Sequence, residues 1–201
     1  MPCTARACGE KLPEAEHGLR SSSAELNTTS TTNSGEPAIT IRRATPDDAP
    51  SLVAIIQGIA AERVYSAIDV PWTVEQQQKY LAALSPREAV HVAVTGCGEI
   101  VGFQTLDLWA LMLTSMAHVG QLGTFLAPEW RRRGVGKTIF RRTEDFARNA
   151  QYSKIVIQVR AINEPARAFY QQLGFVQCGR LAKQVRIGGV EDDEILMELF
   201  L

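Results

Sequence analysis

Cysteine is scarce in this chain, and a basic excess and long apolar runs are missing altogether. Cys3, Cys8, Cys97 and Cys178 occur, none in a C-x-x-C pair. With 201 residues and 45% hydrophobic content, there is enough apolar material for a core without disulfide staples. His17, His91 and His118 are scattered without the spacing of metal ligands, so no metal is expected. Lysine and arginine number 21 against 22 aspartates and glutamates, a formal net charge of −1. A nucleic-acid binder carries a strong basic excess instead. No window approaches the roughly 18 apolar residues of a membrane-spanning helix. The N-terminus lacks the apolar stretch of a secretory signal. These absences predict a cytoplasmic globular domain with neither nucleic acid nor membrane as partner.

What is present falls into two parts. In "SSSAELNTTSTTNS" (Ser21–Ser34), eleven of fourteen residues are Ser, Thr or Asn, too little apolar surface to offset the entropy of ordering. Residues 1–38 are therefore expected to be a disordered tail, with a targeting or partner-binding arm as the alternative, and residues 39–201 the folded domain. Ile39–Arg43 reads as a strand. Thr45-Pro46-Asp47-Asp48 reads as a capped helix start, followed by Leu52, Ile55, Ile56 and Ile59 at helical spacing. A second helix is expected over Thr73–Leu84. A hairpin of Ala89–Thr95 and Ile100–Leu108 follows around "GCGE". A strand at about Ala117–Leu126 leads through Pro128 into a helix with Val135, Ile139, Phe146 and Ala150 on one face. "KIVIQV" (Lys154–Val159) is a buried strand. The next helix is opened by Asn163 and stopped by Gly174. Two strands, roughly Phe175–Ile187 and Glu191–Leu201, close the chain around Gly188-Gly189. The order is mixed α/β, antiparallel at both ends with a strand–helix–strand crossover between.

The chemistry concentrates in "EWRRRGVGKT" (Glu129–Thr138). "GVGKT" looks like the end of a P-loop, but G-x-x-x-x-G-K-[ST] requires a glycine five residues before Gly136, where Arg131 stands. No strand ends in a magnesium-holding Asp either, so a nucleotide triphosphatase is excluded. The spacing Arg131-x-x-Gly134-x-Gly136 sits between a strand and a helix. Glycines there let backbone N–H groups approach an anion. The helix start adds free N–H groups and partial positive charge, and the arginines add forked donors. That suits a pyrophosphate without a metal. By itself the spacing is equally a solvated basic turn with helix-capping glycines.

Further on stands "NEPARAFYQQLGF" (Asn163–Phe175), with Asn163, Ala166, Tyr170, Gly174 and Phe175 at N-x-x-A-x-x-x-Y-x-x-x-G-F spacing. The two motifs in this order resemble the GCN5-related N-acetyltransferase (GNAT) superfamily, over nearly all of Ile39–Leu201. The resemblance implies an α/β (α+β) fold: a mixed, mostly antiparallel sheet of six to seven strands flanked by about four helices, with a central V-shaped splay. It implies acetyl-CoA as co-substrate and no metal. Backbone of Thr124, Phe125 and Leu126 would meet the pantetheine amides. The N–H groups of Arg132, Arg133, Gly134, Val135, Gly136 and Lys137, with Thr138 nearby, would meet the pyrophosphate. Arg131 and Arg133 would be the side-chain contacts. Asn163 and Arg167 would lie beside the pantetheine or adenine end, Asn163 otherwise serving only as a helix cap.

The implied chemistry is direct transfer of the acetyl group to an amine in a ternary complex. Tyr170 matches the position of the proton donor to the leaving thiolate, or otherwise packs and hydrogen-bonds the sulfur. Many relatives carry a base seven residues before the proline; here that residue is Gln121, which cannot take a proton. Either His118, whose unperturbed pKa suits the task, or a water leading to solvent replaces it, although His118 and Gln121 face opposite sides of a regular strand. The acceptor site is expected around Ala60–Gln77, with "YSAIDVPW" (Tyr65–Trp72) as a covering loop, Trp109 and Met112 as a wall or as core, and the final hairpin. The run Glu191, Asp192, Asp193, Glu194 is a solvated turn or a mark of a cationic acceptor. Partners are then acetyl-CoA and an amine, with a homodimer as an arrangement common in similar proteins. Gln121 also leaves open a non-catalytic acyl-CoA-binding sensor.

Overall fold

The structure, a computed structural model, describes residues 38–110 and 112–201. The expectation of a disordered tail falls on residues 1–37, outside the described part. Strand β1 (Ile39–Arg43) enters a 3-10 turn (Pro46–Asp48) and helix α1 (Ala49–Glu62). Asp48 organises this start. Its carboxylate accepts from the Thr45 N–H at 2.8 Å and from both terminal nitrogens of Arg42 at 2.7 and 2.8 Å. Leu52, Ile55, Ile56 and Ile59 are all buried, as their spacing predicts. Helix α2 (Val74–Ala83) is capped by Thr73, whose hydroxyl accepts from the Gln76 N–H while the Gln76 carboxamide accepts from the Thr73 N–H. That reciprocal capping box fixes where the helix begins.

Strands β2 (Ala89–Thr95), β3 (Ile100–Leu108) and β4 (Val119–Leu126) follow, then helix α3 (Val135–Asn149), strand β5 (Lys154–Arg160), helix α4 (Glu164–Gln172), and strands β6 (Val176–Ile187) and β7 (Val190–Phe200). The sheet has seven strands in the order β1-β2-β3-β4-β5-β7-β6. Every neighbouring pair is antiparallel except β4–β5, the pair joined by the α3 crossover. The expected mixed, mostly antiparallel sheet with four helices is present. Strand β4 starts at Val119 rather than Ala117, because a 3-10 turn over Thr114–Met116 precedes it. Gly188 and Gly189 have φ of +58° and +82°, the paired positive values of a type I′ turn between twisted strands. Bulges in β6 at Gln177/Gly179 and Leu181/Val185 were not foreseeable from the alternation.

The parallel pair opens the molecule. Strand β4 pairs with β3 along its length, from Gly102↔Leu126 to Leu108↔Gly120. With β5 it pairs only from Val119↔Lys154 to Gln121↔Val156. From Leu122 to Leu126 no strand among the described residues pairs on that side, which is the predicted splay. It leaves backbone N–H and C=O groups without a ladder partner at mid-sheet, where such groups demand one. Alternation along β3 and β4 sorts side chains to two layers. Leu106 and Leu122 join Phe140, Ile155, Tyr170, Phe175 and Met197 on the α3/α4 face. Phe103 joins Leu52, Ile56, Ile59, Leu81 and Val92 on the α1/α2 face. Among the described residues no helix is long and apolar enough to cross a membrane.

Candidate active site

The loop from Pro128 to Gly134 presents backbone N–H groups at one end of the splay. After a 3-10 turn (Pro128–Trp130), Arg132 takes φ +60° and Gly134 φ +77°, and Gly134 is the N-cap of α3. The first bond inside the helix is Thr138 N–H to the Gly134 carbonyl at 3.0 Å. The N–H groups of Val135, Gly136 and Lys137 therefore lie ahead of the helical ladder. Gly136 is needed for closeness: a Cβ there would sit 3.1 Å from the Phe169 ring and 3.3 Å from Leu126. Its absence lets the helix start press against α4 and β4.

The three arginines divide. Arg131 is turned inward: its terminal nitrogens bind the Glu62 carboxylate, one at 2.9 Å. Its Nε reaches the Leu126 carbonyl at 3.3 Å, and its guanidinium lies 4.3 Å from the Tyr65 ring centre. The Glu62 bond raises its already high pKa. Arg131 thus braces the end of α1 against β4, its guanidinium engaged by Glu62, the Leu126 carbonyl and the Tyr65 ring. Arg132 and Arg133 are exposed, with Arg133 5.3 Å from the centre of the Trp130 ring. Lys137 and Thr138 are exposed too, the Thr138 hydroxyl donating to the Gly134 carbonyl at 3.2 Å.

Inside the splay stands Tyr170. It is 5% exposed, and its hydroxyl donates to Thr124 Oγ1 at 2.8 Å. Gln104 Nε2 donates to the same oxygen at 3.0 Å, while Gln104 Oε1 is buried without a partner. Burial pushes the Tyr170 pKa up to about 12, against the opposing pull of Thr124. The phenol therefore keeps its proton at neutral pH. Asn163 is buried, and its carboxamide is tied at both ends: Oδ1 caps α4 through the Ala166 N–H at 3.2 Å, and Nδ2 donates to the Tyr65 carbonyl at 3.1 Å. That is the capping role. Arg167 donates to the Ala161 carbonyl at 3.3 Å.

On the opposite face of β3 and β4 lies a cavity of about 490 Å³ under α1 and α2, walled by Ile56, Ile68, Trp72, Tyr80, Phe103 and Phe125. Ile68 and Trp72 come from the expected covering loop; Met112 is 89% exposed and Trp109 does not line the cavity. Asp107 and Gln121, directly paired across β3 and β4, reach the same cavity. Asp107 accepts from the Tyr80 hydroxyl at 2.6 Å. Burial raises its pKa, opposed by the Tyr80 and Thr105 hydroxyls. Gln121 Nε2 donates to Gln158 Oε1 at 3.0 Å, and Gln158 Nε2 to Glu194 at 3.1 Å. The acidic run is no free turn: it lies in β7, with Asp192 paired to Arg160, Asp193 to Arg180, and Glu191 to Lys183 and Arg186.

His118 is not brought to this site. It precedes β4 at the closed end, beside a separate hollow lined by Arg87, Thr114 and Asn149, and its carbonyl accepts from the Ser153 N–H at 3.0 Å. Six residues of extended chain, about 20 Å, separate it from Thr124. Asp107, Tyr80, Gln104 and Glu62 were missed from the sequence. Only the β3–β4 register, which periodicity does not supply, could have set Asp107 opposite Gln121.

The site is thus a mixed sheet split beside a glycine-led helix start, with a buried tyrosine in the split. The chain belongs to the Acetyltransferase (GNAT) family, which it matches over residues 58–175. It is 31% identical over 90 residues to streptothricin acetyltransferase of Streptomyces lavendulae, an alignment spanning 44% of each chain. It is 27% identical over 123 residues to N-alpha-acetyltransferase RimI of Mycobacterium tuberculosis, covering 61% of this chain and 73% of that one. In fold it is similar to a GNAT superfamily phosphinothricin acetyltransferase from Sinorhizobium meliloti solved with acetyl-CoA. The TM-score is 0.75 at 18% identity, over 81% of this chain and 88% of that one.

Proposed function

We propose that this chain is an acetyl-CoA-dependent N-acetyltransferase acting on a primary amine of a small molecule or peptide by direct transfer in a ternary complex. One observation carries the reading: the β4 edge from Leu122 to Leu126 lacks a strand partner between the glycine-led start of α3 and the buried hydroxyl of Tyr170. The residues fit the co-substrate. Backbone of Thr124 and the N–H of Leu126 face the open side and offer the rungs that a pantetheine arm uses, whereas the Phe125 N–H and C=O turn to Phe103 of β3 and the Leu126 carbonyl accepts from Arg131. The N–H groups from Arg132 to Lys137 suit a pyrophosphate, with Arg133, Lys137 and Thr138 on the exposed side. Acetyl-CoA, when bound, supplies an acetyl group activated as a thioester. Tyr170 keeps its proton until a departing sulfur needs it, and Thr124 holds that hydroxyl in place. Arg131 and Asn163 serve by bracing the loops around the cleft.

Gln121, which cannot accept a proton, favours one second reading, an acyl-CoA-binding sensor on the same fold. Thiol release from acetyl-CoA with a panel of primary amines separates the two. The enzyme reading expects amine-dependent release with formation of the acetamide. Tight acetyl-CoA binding without release on any amine would favour the sensor.

A further inference from the structure

We propose that Asp107 captures the acceptor's ammonium group and takes its proton, so that the cavity under α1 and α2 receives a primary amine carried on an apolar body. The inference rests on the acetyltransferase reading for its purpose, but its physical basis is separate. Asp107 is the single charged residue lining the cavity among the described residues. No described lysine, arginine or histidine pairs with it. A half-buried carboxylate met only by neutral hydroxyls, Tyr80 and Thr105, is under-compensated, and a ligand's ammonium completes it. The walls, Ile56, Ile68, Trp72, Phe103 and Phe125, complement an apolar or aromatic body, and about 490 Å³ is room for a small one.

The position also suits the chemistry. Asp107 stands directly across from Gln121, which puts the two side chains on one face at roughly 5 Å between Cβ atoms. Gln121 lies where β4 parts from β5, so the carboxylate is at the mouth of the splay. Glu194 accepts from Gln158 Nε2, which leaves Gln158 Oε1 for Gln121 Nε2 and frees Gln121 Oε1 as a second acceptor for an ammonium. In the proton step one N–H bond of the ammonium breaks. Its electron pair stays on nitrogen as the lone pair needed for attack, and the proton goes to an Asp107 oxygen. Burial, by raising the Asp107 pKa, narrows the gap to the amine's. The titratable groups facing Asp107 are Tyr80 from α2, Glu88 before β2 and Tyr152 before β5. Glu88 is held by the Ser85 and Leu108 N–H groups at 3.1 and 3.4 Å.

The test is calorimetric titration of 2-phenylethylamine, and of its neutral analogue 2-phenylethanol, into the full chain without acetyl-CoA. Wild type should bind the amine at least about tenfold more tightly than the alcohol. Asp107→Asn should lose that preference, and the wild-type preference should fade as pH drops through the Asp107 titration while the variant shows no such limb. Equal binding of amine and alcohol to wild type overturns the proposal and needs no variant to fold. So does an amine affinity unchanged in folded Asp107→Asn. Acetyl-CoA binding, measured on the same samples, reports separately on the acetyltransferase reading. It should be the same in wild type and variant, and its absence from wild type would sink that reading whatever the amine does.

Discussion

On one face of β3 and β4, Gln104, Leu106, Leu122 and Thr124 are packed under α3 and α4. On the other, Thr105, Asp107, Gln121 and Phe125 line a cavity of about 490 Å³. The same two strands build both, and alternation alone assigns each side chain. The filled face joins most of its buried polar groups to one another: Tyr170 and Gln104 Nε2 meet at Thr124, and on neighbouring β2 His91 Nδ1 meets Thr143 Oγ1 at 3.0 Å, with Gln104 Oε1 the exception. The hollow face ends in a carboxylate that no described cation pairs with. Polar groups satisfied inside a core fix one arrangement, whereas a polar group left at the end of an apolar cavity invites a ligand.

The largest expected effect lies on the filled face. Burial lowers the His91 pKa from 6.5 to about 4, with Arg142 and Arg43 adding to it. Between those values the unfolded chain binds a proton that the fold excludes. Stability should therefore fall as pH drops through that window, by on the order of 3 kcal/mol, and stay level above it. Urea unfolding across that range, on wild type and His91→Gln, checks this, the variant losing most of the slope. A slope unchanged in the variant would show that another group drives it. Next is Tyr170→Phe, expected to lower kcat about 100-fold while acetyl-CoA affinity stays within a few-fold; unchanged turnover removes the acid role.

How much of this was legible follows from the kind of rule each feature obeys. Caps and glycines announce themselves: Thr73 with Gln76, Asn163 with Ala166, and Gly134 ahead of α3 act through neighbours in the chain. The order of elements along the chain and the crossover were therefore readable. Partners distant in sequence were not. Arg131 reads as a phosphate ligand until Glu62, 69 residues away, claims it. His118 reads as a base until a 3-10 turn shortens β4 and leaves it at the closed end. Asp107 gave no sign, because its meaning depends on the β3–β4 register.

Two smaller perturbations sharpen the contrast between the faces. Phe125 stacks on Phe103 with ring centres 4.8 Å apart, so Phe125→Ala should destabilise by about 2 kcal/mol. It should raise the KM for amine and spare acetyl-CoA affinity. An equal loss of both would mean the faces do not divide the two substrates. Arg131→Ala removes a partly exposed brace and should reduce stability by about 1 kcal/mol or less, with acetyl-CoA affinity changed less than about threefold. A tenfold loss would return its guanidinium to the phosphates.

The most direct test is thermal stability of wild type and Gly134→Asp with and without acetyl-CoA. Gly134 has φ +77° with open space around a would-be Cβ, a conformation that Asp tolerates better than most residues, so the variant should fold and place a negative charge in the cradle. At about 100 times its dissociation constant, acetyl-CoA should stabilise wild type by about 2.7 kcal/mol and leave the variant unmoved. A folded wild type that acetyl-CoA does not stabilise would contradict the assignment of this cleft.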